Sequence, residues 1–321
     1  MQHYRIFLIA ICVLFPCELQ LSAQTPESAI RHLEHGVKKQ NSGDLDGAIE
    51  EYSQAIELSS IISKAKPERS AGFNARSDFA SLESDASRVR VVDPFTAHAY
   101  NNRGVARCRK GDLSGALEDF DQAIGINPGL AVAYLNRGAV RHELGNTDGA
   151  VSDLSKALRL NSKLPEAFSN RGAIRAEAGD KVGALSDLNQ AIAISPKFAD
   201  AYYHRGRLKQ KQGDFSGAIA DFDLTIKFRS DWAWGYMGRG VALMSQDRLD
   251  EAMKDFERAI QLNPALAEAY ANHGLTLIRL GRGEEAQQDF TRCLSLDPKM
   301  KEALAKRISF ARELGVQKAT Q

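Results

Sequence analysis

An all-α fold made of repeated helix pairs is predicted by a regular spacing of small residues. Glycines recur every 34 residues, apart from one gap of 68, and they stand at Gly36, Gly104, Gly138, Gly172, Gly206, Gly240 and Gly274. Twelve residues after each of these glycines stands an alanine, at Ala48, Ala116, Ala150, Ala184, Ala218, Ala252 and Ala286. Helical repeats of this length stack into an open superhelix with an extended surface rather than a closed pocket. The spacing therefore favours a binding function over catalysis.

Residues 131–164 show why each repeat holds two helices. Apolar residues recur there at three- and four-residue spacing, which predicts helix A over residues 131–144 and helix B over residues 147–160. Gly145 and Asn146 separate the two helices, because glycine adopts the left-handed backbone that ends a helix. Small residues at Gly138 and Ala150 allow the two helices to approach closely.

This pattern resembles the tetratricopeptide repeat family. Members of that family carry an aromatic residue, glycine, alanine, a second aromatic residue, alanine and proline at set places. Residues 97–130 supply Tyr100, Gly104, Ala116, Phe120, Ala123 and Pro128. The resemblance covers residues 29–62 and 97–300. It implies a right-handed superhelical solenoid of stacked antiparallel helix pairs and a role in protein–protein interaction.

The repeat period divides most of the chain into segments of equal length. We predict repeats at residues 29–62, 97–130, 131–164, 165–198, 199–232, 233–266 and 267–300. Residues 63–96 have the length of a repeat but lack its glycine and alanine, so they are either an insertion or a degenerate repeat, and we favour the insertion. Residues 301–316 are predicted to form a C-terminal capping helix. We expect Ala303, Leu304 and Ile308 to face inward and Lys301, Glu302, Lys306 and Arg307 to face solvent.

The first 23 residues have the features of a secretory signal peptide. A basic start at Arg5 precedes an apolar run over residues 6–15, and the small residue Ala23 provides a cleavage site. The run is short for a membrane span, and no span is expected after cleavage. We expect the mature chain to begin at Gln24 and to be exported to the periplasm or the extracellular space, with a bacterial envelope favoured. Retention as an uncleaved anchor is the alternative.

Composition and motifs argue against several other functions. The 42 basic and 41 acidic residues are mixed throughout, so no basic stripe supports nucleic-acid binding. His32 and His35 lie one helical turn apart, but no further ligand stands at metal spacing, so no metal site is predicted. The serine and cysteine motifs of hydrolases are absent. We expect no enzymatic activity, no cofactor and no small-molecule substrate.

Residues of opposite charge recur in phase with the glycines. An arginine precedes the glycine in five repeats, and we call this set the arginine ladder: Arg103, Arg137, Arg171, Arg205 and Arg239. Sixteen residues later stands an aspartate, at Asp119, Asp153, Asp187, Asp221 and Asp255. At the two ends, His35 and His273 take the place of the arginine. Because buried charges need partners, we predict structural ion pairs, either within one repeat or between neighbouring repeats. An anion-binding stripe is the disfavoured alternative.

The residue before each arginine predicts a binding surface. These positions, with the residue before His273, should face the concave groove. Gly238 interrupts the set, and we call the other members the asparagine row: Asn102, Asn136, Asn170, His204 and Asn272. An asparagine side chain has both a donor and an acceptor, so a row of them can hold the main chain of an extended peptide. The alternative is that these are solvated polar residues without a ligand.

Large apolar residues also fall on predicted groove positions. They are Tyr203, Trp234, Met237, Val241 and Met244, in the repeats at 199–232 and 233–266. Aromatic and methionine side chains are common in binding hot spots. Ordinary packing of Trp234 between adjacent repeats is an equally good interpretation.

The sequence therefore predicts an exported scaffold that binds an extended polypeptide segment of a protein partner in the concave groove. The alternative is a structural subunit of an envelope assembly, or a homo-oligomer, in which the groove is unused.

Overall fold

The computed structural model describes residues 24–65 and 94–319 of the 321-residue chain. Within these ranges the backbone is helical apart from short turns and contains no strand. The predicted signal peptide, residues 1–23, and most of the segment at 63–96 lie outside the described residues. No helix in the described ranges is both long and apolar enough to cross a bilayer. The all-α prediction is confirmed.

The chain divides into two compact units, and unit 1 extends to Ile174. Its helices form consecutive antiparallel pairs, in which helix A is followed by helix B after a short turn. The pairs are α1 (Gln24–Ser42) with α2 (Leu45–Ala65), α3 (Pro94–Lys110) with α4 (Leu113–Ile126), and α5 (Ala131–Glu143) with α6 (Thr147–Leu160). The boundary between the units falls near the end of α7 (Pro165–Glu177).

Unit 2 begins at Arg175 and continues the same alternation of helices A and B. After α8 (Lys181–Ile194) come α9 (Ala199–Lys211) with α10 (Phe215–Phe228), α11 (Ala233–Ser245) with α12 (Leu249–Leu262), and α13 (Ala267–Arg279) with α14 (Gly283–Leu296). A 3₁₀ turn, Pro298–Met300, leads to α15 (Lys301–Ala319). Successive helices A of this unit begin at the interval that the glycine spacing predicts.

The turn between α5 and α6 shows how the sequence ends one helix and starts the next. Gly145 has a φ of 82°, in the left-handed region that glycine adopts without a steric penalty. The side chain of Asn146 then accepts a hydrogen bond of 2.9 Å from the backbone N–H of Gly149 and caps the first turn of α6. The two helices match their predicted spans to within one residue.

The repeated glycine lies where helix A meets a large side chain of helix B. A Cβ atom at Gly104 would stand 2.7 Å from Cε1 of Phe120, a residue that is fully buried beside Ala116. The same close approach, also 2.7 Å, occurs between Gly240 and Phe256 in unit 2. Only glycine leaves room for the aromatic ring, so its recurrence reflects helix–helix packing.

The repeat at 29–62 packs directly on the repeat at 97–130. Ala55 and Ile56 of α2 share an apolar cluster with Ala99 of α3. The Nη1 atom of Arg103 donates a hydrogen bond of 3.0 Å to the hydroxyl oxygen of Ser53 on α2. These are contacts that immediate neighbours make elsewhere in the chain, so α2 and α3 are adjacent helices in the described structure.

The C-terminal helix α15 differs from its sequence-based description in two residues. Leu304 is buried and Ile308 is partly buried, as expected. Ala303 is exposed rather than inward-facing. Arg307 is partly buried, and its guanidinium donates a hydrogen bond to Oδ1 of Asn272 on α13. The prediction for Arg307 is wrong because α15 packs against α13, which turns this side chain toward the neighbouring helix A.

The packing role of the repeated glycine leads to a stability prediction. Gly104→Ala should lower the free energy of unfolding by about 1–3 kcal/mol, because the added Cβ forces the ring of Phe120 to move. Gly125→Ala is the matched control, since nothing lies within 4 Å of a Cβ at this exposed position in α4. The control should gain about 0.5–1 kcal/mol from helix propensity. Denaturant unfolding followed by circular dichroism measures both changes, and shifts of the same sign would contradict the packing explanation.

Candidate functional site

A buried aspartate on helix B is neutralised by an arginine of the same repeat. In unit 1, the Nε and Nη2 atoms of Arg137 donate hydrogen bonds of 2.8 and 2.7 Å to the two carboxylate oxygens of Asp153. The Nη1 atom donates to Asp121 of the preceding helix B at 2.6 Å. Only 5% of the Asp153 side chain is exposed, against 56% of the Asp121 side chain. Arg137 therefore joins the two helices of its own repeat and also joins this repeat to the preceding one.

The same geometry recurs along the arginine ladder. Pairs within one repeat, with N–O distances of 2.6–2.7 Å, are Arg103–Asp119, Arg205–Asp221 and Arg239–Asp255. The Nη1 atoms of the ladder arginines reach the preceding helix B, where their other acceptors are Ser53, Ser155, Asn189 and Asp223. The predicted aspartates therefore pair within their own repeat, and the contacts between repeats use other residues of the preceding helix B.

The repeat at 165–198 is divided by the boundary between the units, so its two charged residues are described separately. In unit 1, Arg171 donates a hydrogen bond of 3.0 Å to the hydroxyl oxygen of Ser155. In unit 2, Asp187 accepts a hydrogen bond of 2.7 Å from Arg175. Arg171 thus reaches the preceding helix B, and Asp187 is bound by the basic residue four places after the ladder arginine.

A second basic residue also reaches the buried carboxylate in four repeats. It stands four residues after the ladder arginine, at Arg107, Arg141, Arg175 and Lys209, with N–O distances of 2.7–3.1 Å. These residues were not predicted from the sequence, although a spacing of four places them one turn further along the same helix face. Leu243 takes this place in the repeat of Asp255. Among the described residues, Arg239 is the one cation that binds Asp255.

Burial and hydrogen bonding act in opposite directions on these charges. Burial would lower the pKa of Arg137, but its hydrogen bonds to Asp153 and Asp121 outweigh this effect and raise the pKa above its usual value. Burial raises the pKa of Asp255, and the hydrogen bond from Arg239 offsets this only in part. The carboxylate with a single cation therefore keeps part of the cost of its burial.

The flat face of each ladder arginine lies over the aromatic ring three residues before it. The guanidinium carbons are 5.3–5.8 Å from the ring centroids of Tyr100, Tyr134, Phe168, Tyr202 and Tyr236. Arginine stacks on aromatic rings in this way while its edge binds carboxylates. Since both edge and face are engaged by the protein, we interpret the ladder as structural rather than as an anion-binding stripe.

The asparagine row of unit 1 is buried, and Asn102 and Asn136 also take part in side-chain hydrogen bonds inside the protein. Asn102, Asn136 and Asn170 are 3%, 2% and 7% exposed. The Nδ2 atom of Asn136 on α5 donates to Oδ1 of Asn101 on α3 at 3.0 Å, and Asn101 donates in turn to Asn102 at 3.2 Å. These amides link neighbouring helices A. A peptide that used them would first have to break a buried hydrogen bond.

In unit 2 the corresponding residues are also engaged by their neighbours. Asn272 is 4% exposed; its Nδ2 atom lies 3.8 Å from the sulfur of Met237, and its Oδ1 atom accepts the hydrogen bond from Arg307. His204 lies edge-on to the ring of Tyr203, with 5.4 Å between the centroids. Burial lowers the pKa of His204 to about 3, so the imidazole is uncharged at neutral pH.

Tyr203 lies in the core rather than on a binding surface. It is 5% exposed and packs against Trp232 and Phe222, with ring centroids 4.6 and 5.9 Å away. Its predicted place in the groove is wrong because Trp232, which precedes α11 at the end of the same repeat, covers the ring.

The other four apolar residues form a partly exposed stripe on α11. We call Trp234, Met237, Val241 and Met244 the α11 stripe; all four are intermediate in burial and follow one another at three- and four-residue spacing on one helix face. Trp234 contacts two neighbouring apolar clusters, so the packing interpretation holds for part of its ring. The sulfur of Met244 accepts a hydrogen bond of 3.4 Å from Thr276. The stripe combines contacts to its neighbours with surface that solvent reaches.

Other residues considered for chemistry serve as structural partners. The Nδ1 atom of His32 lies 2.7 Å from Glu51, and no group of three or more His, Cys, Asp or Glu side chains in the described ranges could hold a metal ion. Cys108 in unit 1 and Cys293 in unit 2 are buried free thiols. Burial raises the pKa of Cys108 to about 12, which makes its thiolate scarce at neutral pH.

Comparison with known families agrees with this architecture. Family models described as tetratricopeptide repeat match residues 75–131, 131–164, 233–266 and 267–300, and a model described as TPR repeat matches residues 174–213. The chain belongs to the tetratricopeptide repeat family. The first of these matches includes part of the segment at 63–96.

This tetratricopeptide repeat chain is similar in sequence to two known proteins and in fold to solved structures. RNA polymerase II-associated protein 3 of Xenopus tropicalis and of Xenopus laevis are each 31% identical over 98 residues, which is 30% of this chain and 15% of theirs. A tetratricopeptide repeat protein from Parabacteroides merdae is 20% identical with a TM-score of 0.60, over 89% of this chain and 99% of that one. A chain of the APC/C hetero-tetramer Cut9–Hcn1 is 15% identical with a TM-score of 0.63, over 89% of this chain and 59% of that one. At these identities the two structures show the fold alone.

The two aspartates that bind Arg137 provide a matched pair for testing the ladder. Asp153→Ala should lower the free energy of unfolding by about 3 kcal/mol, because it leaves Arg137 and Arg141 partly buried without their carboxylate. Asp121→Ala removes an exposed partner of the same arginine and should cost only about 0.5 kcal/mol. Thermal unfolding of the two variants measures the difference. Equal losses would show that burial of the carboxylate is not what makes the pair important.

Proposed function

We propose that this protein is an exported scaffold that binds an extended polypeptide segment of another protein. The tetratricopeptide repeat fold supports a role as a protein–protein interaction scaffold. The α11 stripe is the observation that carries the finer proposal, because four apolar side chains share one face of a helix A and stay partly exposed. A contiguous set of apolar side chains in reach of solvent is typical of a surface that a partner completes.

The chemistry of the α11 stripe favours a partner segment with apolar side chains. Met237 and Met244 have flexible thioether side chains that adapt to different shapes, and Trp234 offers a large contact area. The amides of Asn136 and Asn272, in contrast, already have partners inside the protein. We therefore propose that side-chain packing on α11, rather than main-chain recognition by the asparagine row, supplies most of the binding free energy.

Burial of the asparagine row favours a second candidate function. A structural subunit of an envelope assembly, or a homo-oligomer, would use the amides to join its own helices and would leave the face of the helices A without a ligand. Light scattering on the purified full chain separates the homo-oligomer from a scaffold that is monomeric until a partner binds.

Export is the part of the proposal that depends on residues 1–23. Expressed in a bacterium with its native N-terminus, the protein should accumulate outside the cytoplasm with a mass that corresponds to a chain beginning at Gln24. Fractionation and intact-mass spectrometry measure both properties. Full-length protein in the cytoplasmic fraction would contradict export, and full-length protein in the membrane fraction would support the uncleaved anchor.

The binding surface is tested with peptides selected on the full chain from a random displayed library. For a selected synthetic peptide, Met237→Gln combined with Met244→Gln should weaken affinity by about tenfold or more, as loss of hot-spot contacts does. Asn136→Ala combined with Asn170→Ala should change affinity by less than about threefold, because these amides are buried. Lys254→Gln, exposed on α12, is the control and should have no effect.

The pattern of losses across these variants decides between the alternatives. Loss of affinity in the asparagine variants alone would replace side-chain packing with main-chain recognition by the asparagine row. A library from which no peptide is enriched would contradict peptide binding and favour the structural subunit. Circular dichroism of each variant confirms that a loss reflects the surface and not unfolding.

A further inference from the structure

His273 occupies the ladder position in the repeat at 267–300, where the preceding repeats have arginine. Its Nδ1 atom lies 2.7 Å from Oδ2 of Asp289 on α14, and its Nε2 atom lies 3.8 Å from Oε1 of Glu257 on α12. Asp289 belongs to the same repeat, and Glu257 belongs to the repeat before. The ring thus reaches toward the two carboxylate positions that a ladder arginine joins.

Arg239, one repeat earlier, shows what a permanent cation does at this position. Its guanidinium binds Asp255 of its own repeat at 2.7 Å and Asp223 of the preceding helix B at 2.6 Å. Arginine is always protonated, so both bonds persist at every physiological pH. Imidazole makes both bonds only when both ring nitrogens carry hydrogen.

The contact with Glu257 is incomplete in the structure. The Nε2 atom of His273 is buried and has no hydrogen-bond partner, although the Glu257 carboxylate is 3.8 Å away. In the neutral ring that donates from Nδ1 to Asp289, Nε2 presents a lone pair toward a second carboxylate, which is unfavourable. Protonation would convert this repulsion into a charge-assisted hydrogen bond.

The charged groups that face His273 come from the helices packed against it. Asp289 and Glu285 lie on α14. The pKa of Glu285 is lowered mainly by its hydrogen bond with Arg282 and also by the charge of His273. From α12 comes Glu257. The one charged residue of α11 is Arg239, which is engaged by its own two aspartates.

The remaining packed elements add no cation to this site. Arg307 of α15 donates its hydrogen bond to Asn272, and Arg279, further along α13, binds the carbonyl oxygen of Met244 and the carboxylate of Asp247. The place of the second ladder cation is taken here by Leu277, so in the described structure Asp289 depends on His273.

We propose that the last repeat of unit 2 is docked by a protonation-dependent bridge, in which charged His273 ties Glu257 of one repeat to Asp289 of the next. Histidine changes its charge between about pH 5 and 8. The bridge is therefore present on the acidic side of this range and is lost as pH rises. Above it, α13 and α14 should open locally more often while the ladder arginines keep the earlier repeats docked.

Two variants of the full chain fix the charge at this position. His273→Arg restores the ladder residue and makes the bridge permanent, whereas His273→Gln keeps a neutral hydrogen-bonding side chain. Hydrogen exchange of the α13 and α14 amides, relative to those of α12, gives a local readout, since stacked repeats open independently. A local readout is needed because His204 acts in the opposite direction: its pKa is lowered to about 3, so unit 2 loses stability as pH falls below the ordinary histidine pKa of about 6.5.

Wild type should match His273→Arg at about pH 5.5 and His273→Gln at about pH 8, with a change of about tenfold in relative protection, as for one charge-assisted hydrogen bond. In both variants the relative protection of α13 and α14 should not change with pH over the same range. If the relative protection of wild type stays as independent of pH as that of either variant, the proposal is overturned. A pH response that persists in His273→Arg would assign the effect to another group and would also overturn it.

Discussion

A carboxylate stands between the two helices of each repeat in the ladder, and the surrounding residues are arranged to neutralise its charge. The glycine on helix A draws the helices so close that the carboxylate of Asp153 is almost completely removed from water. A buried charge without a partner is strongly destabilising, so Arg137 and Arg141 must bind it. Arg137 also donates a hydrogen bond to the preceding helix B, so the arginine that neutralises the carboxylate of one repeat also holds the neighbouring repeat against it. In a stack whose stability is the sum of repeats and interfaces, the ladder contributes to both.

The need to neutralise the buried carboxylates also limits which side chains are available to bind a partner. The edges of the ladder arginines are occupied by acids and other polar side chains and their faces by aromatic rings, and Asn136 and Asn272 contact side chains of neighbouring helices. A repeat can therefore change its recognition only through residues outside these sets. The α11 stripe is such a place, because Trp234, Met237 and Met244 stay partly exposed while Gly240 and Phe256 keep the fold of the same repeat unchanged. We propose that the repeated glycine, aromatic and ladder residues maintain the fold, while the residues of the α11 stripe determine what is bound.

How far the sequence predicted the structure depends on whether a feature repeats in phase. The close approach at Gly104 and the pairing of Arg103 with Asp119 are visible because both recur at a fixed interval, and a feature needed in every repeat must be structural. The burial of Asn136 was not predictable in this way, because it depends on how tightly neighbouring helices A pack. Tyr203 was misplaced for a related reason, since the residue that covers it, Trp232, lies 29 residues later at the end of the same repeat. Arg307 was assigned to solvent because a helix that ends a stack was treated as a polar cap, without allowing for its contact with α13.

The central claim is that the buried carboxylate and the ladder arginine stabilise the fold as a pair. A double-mutant cycle on Arg239 and Asp255 tests it most directly, since Leu243 leaves this carboxylate with one cation in the described structure. Each single alanine variant should be strongly destabilised, and the double variant should recover about 2 kcal/mol relative to their sum, because neither charge is then left buried alone. Losses that add to within about 0.5 kcal/mol would contradict the account, since independent residues behave in that way.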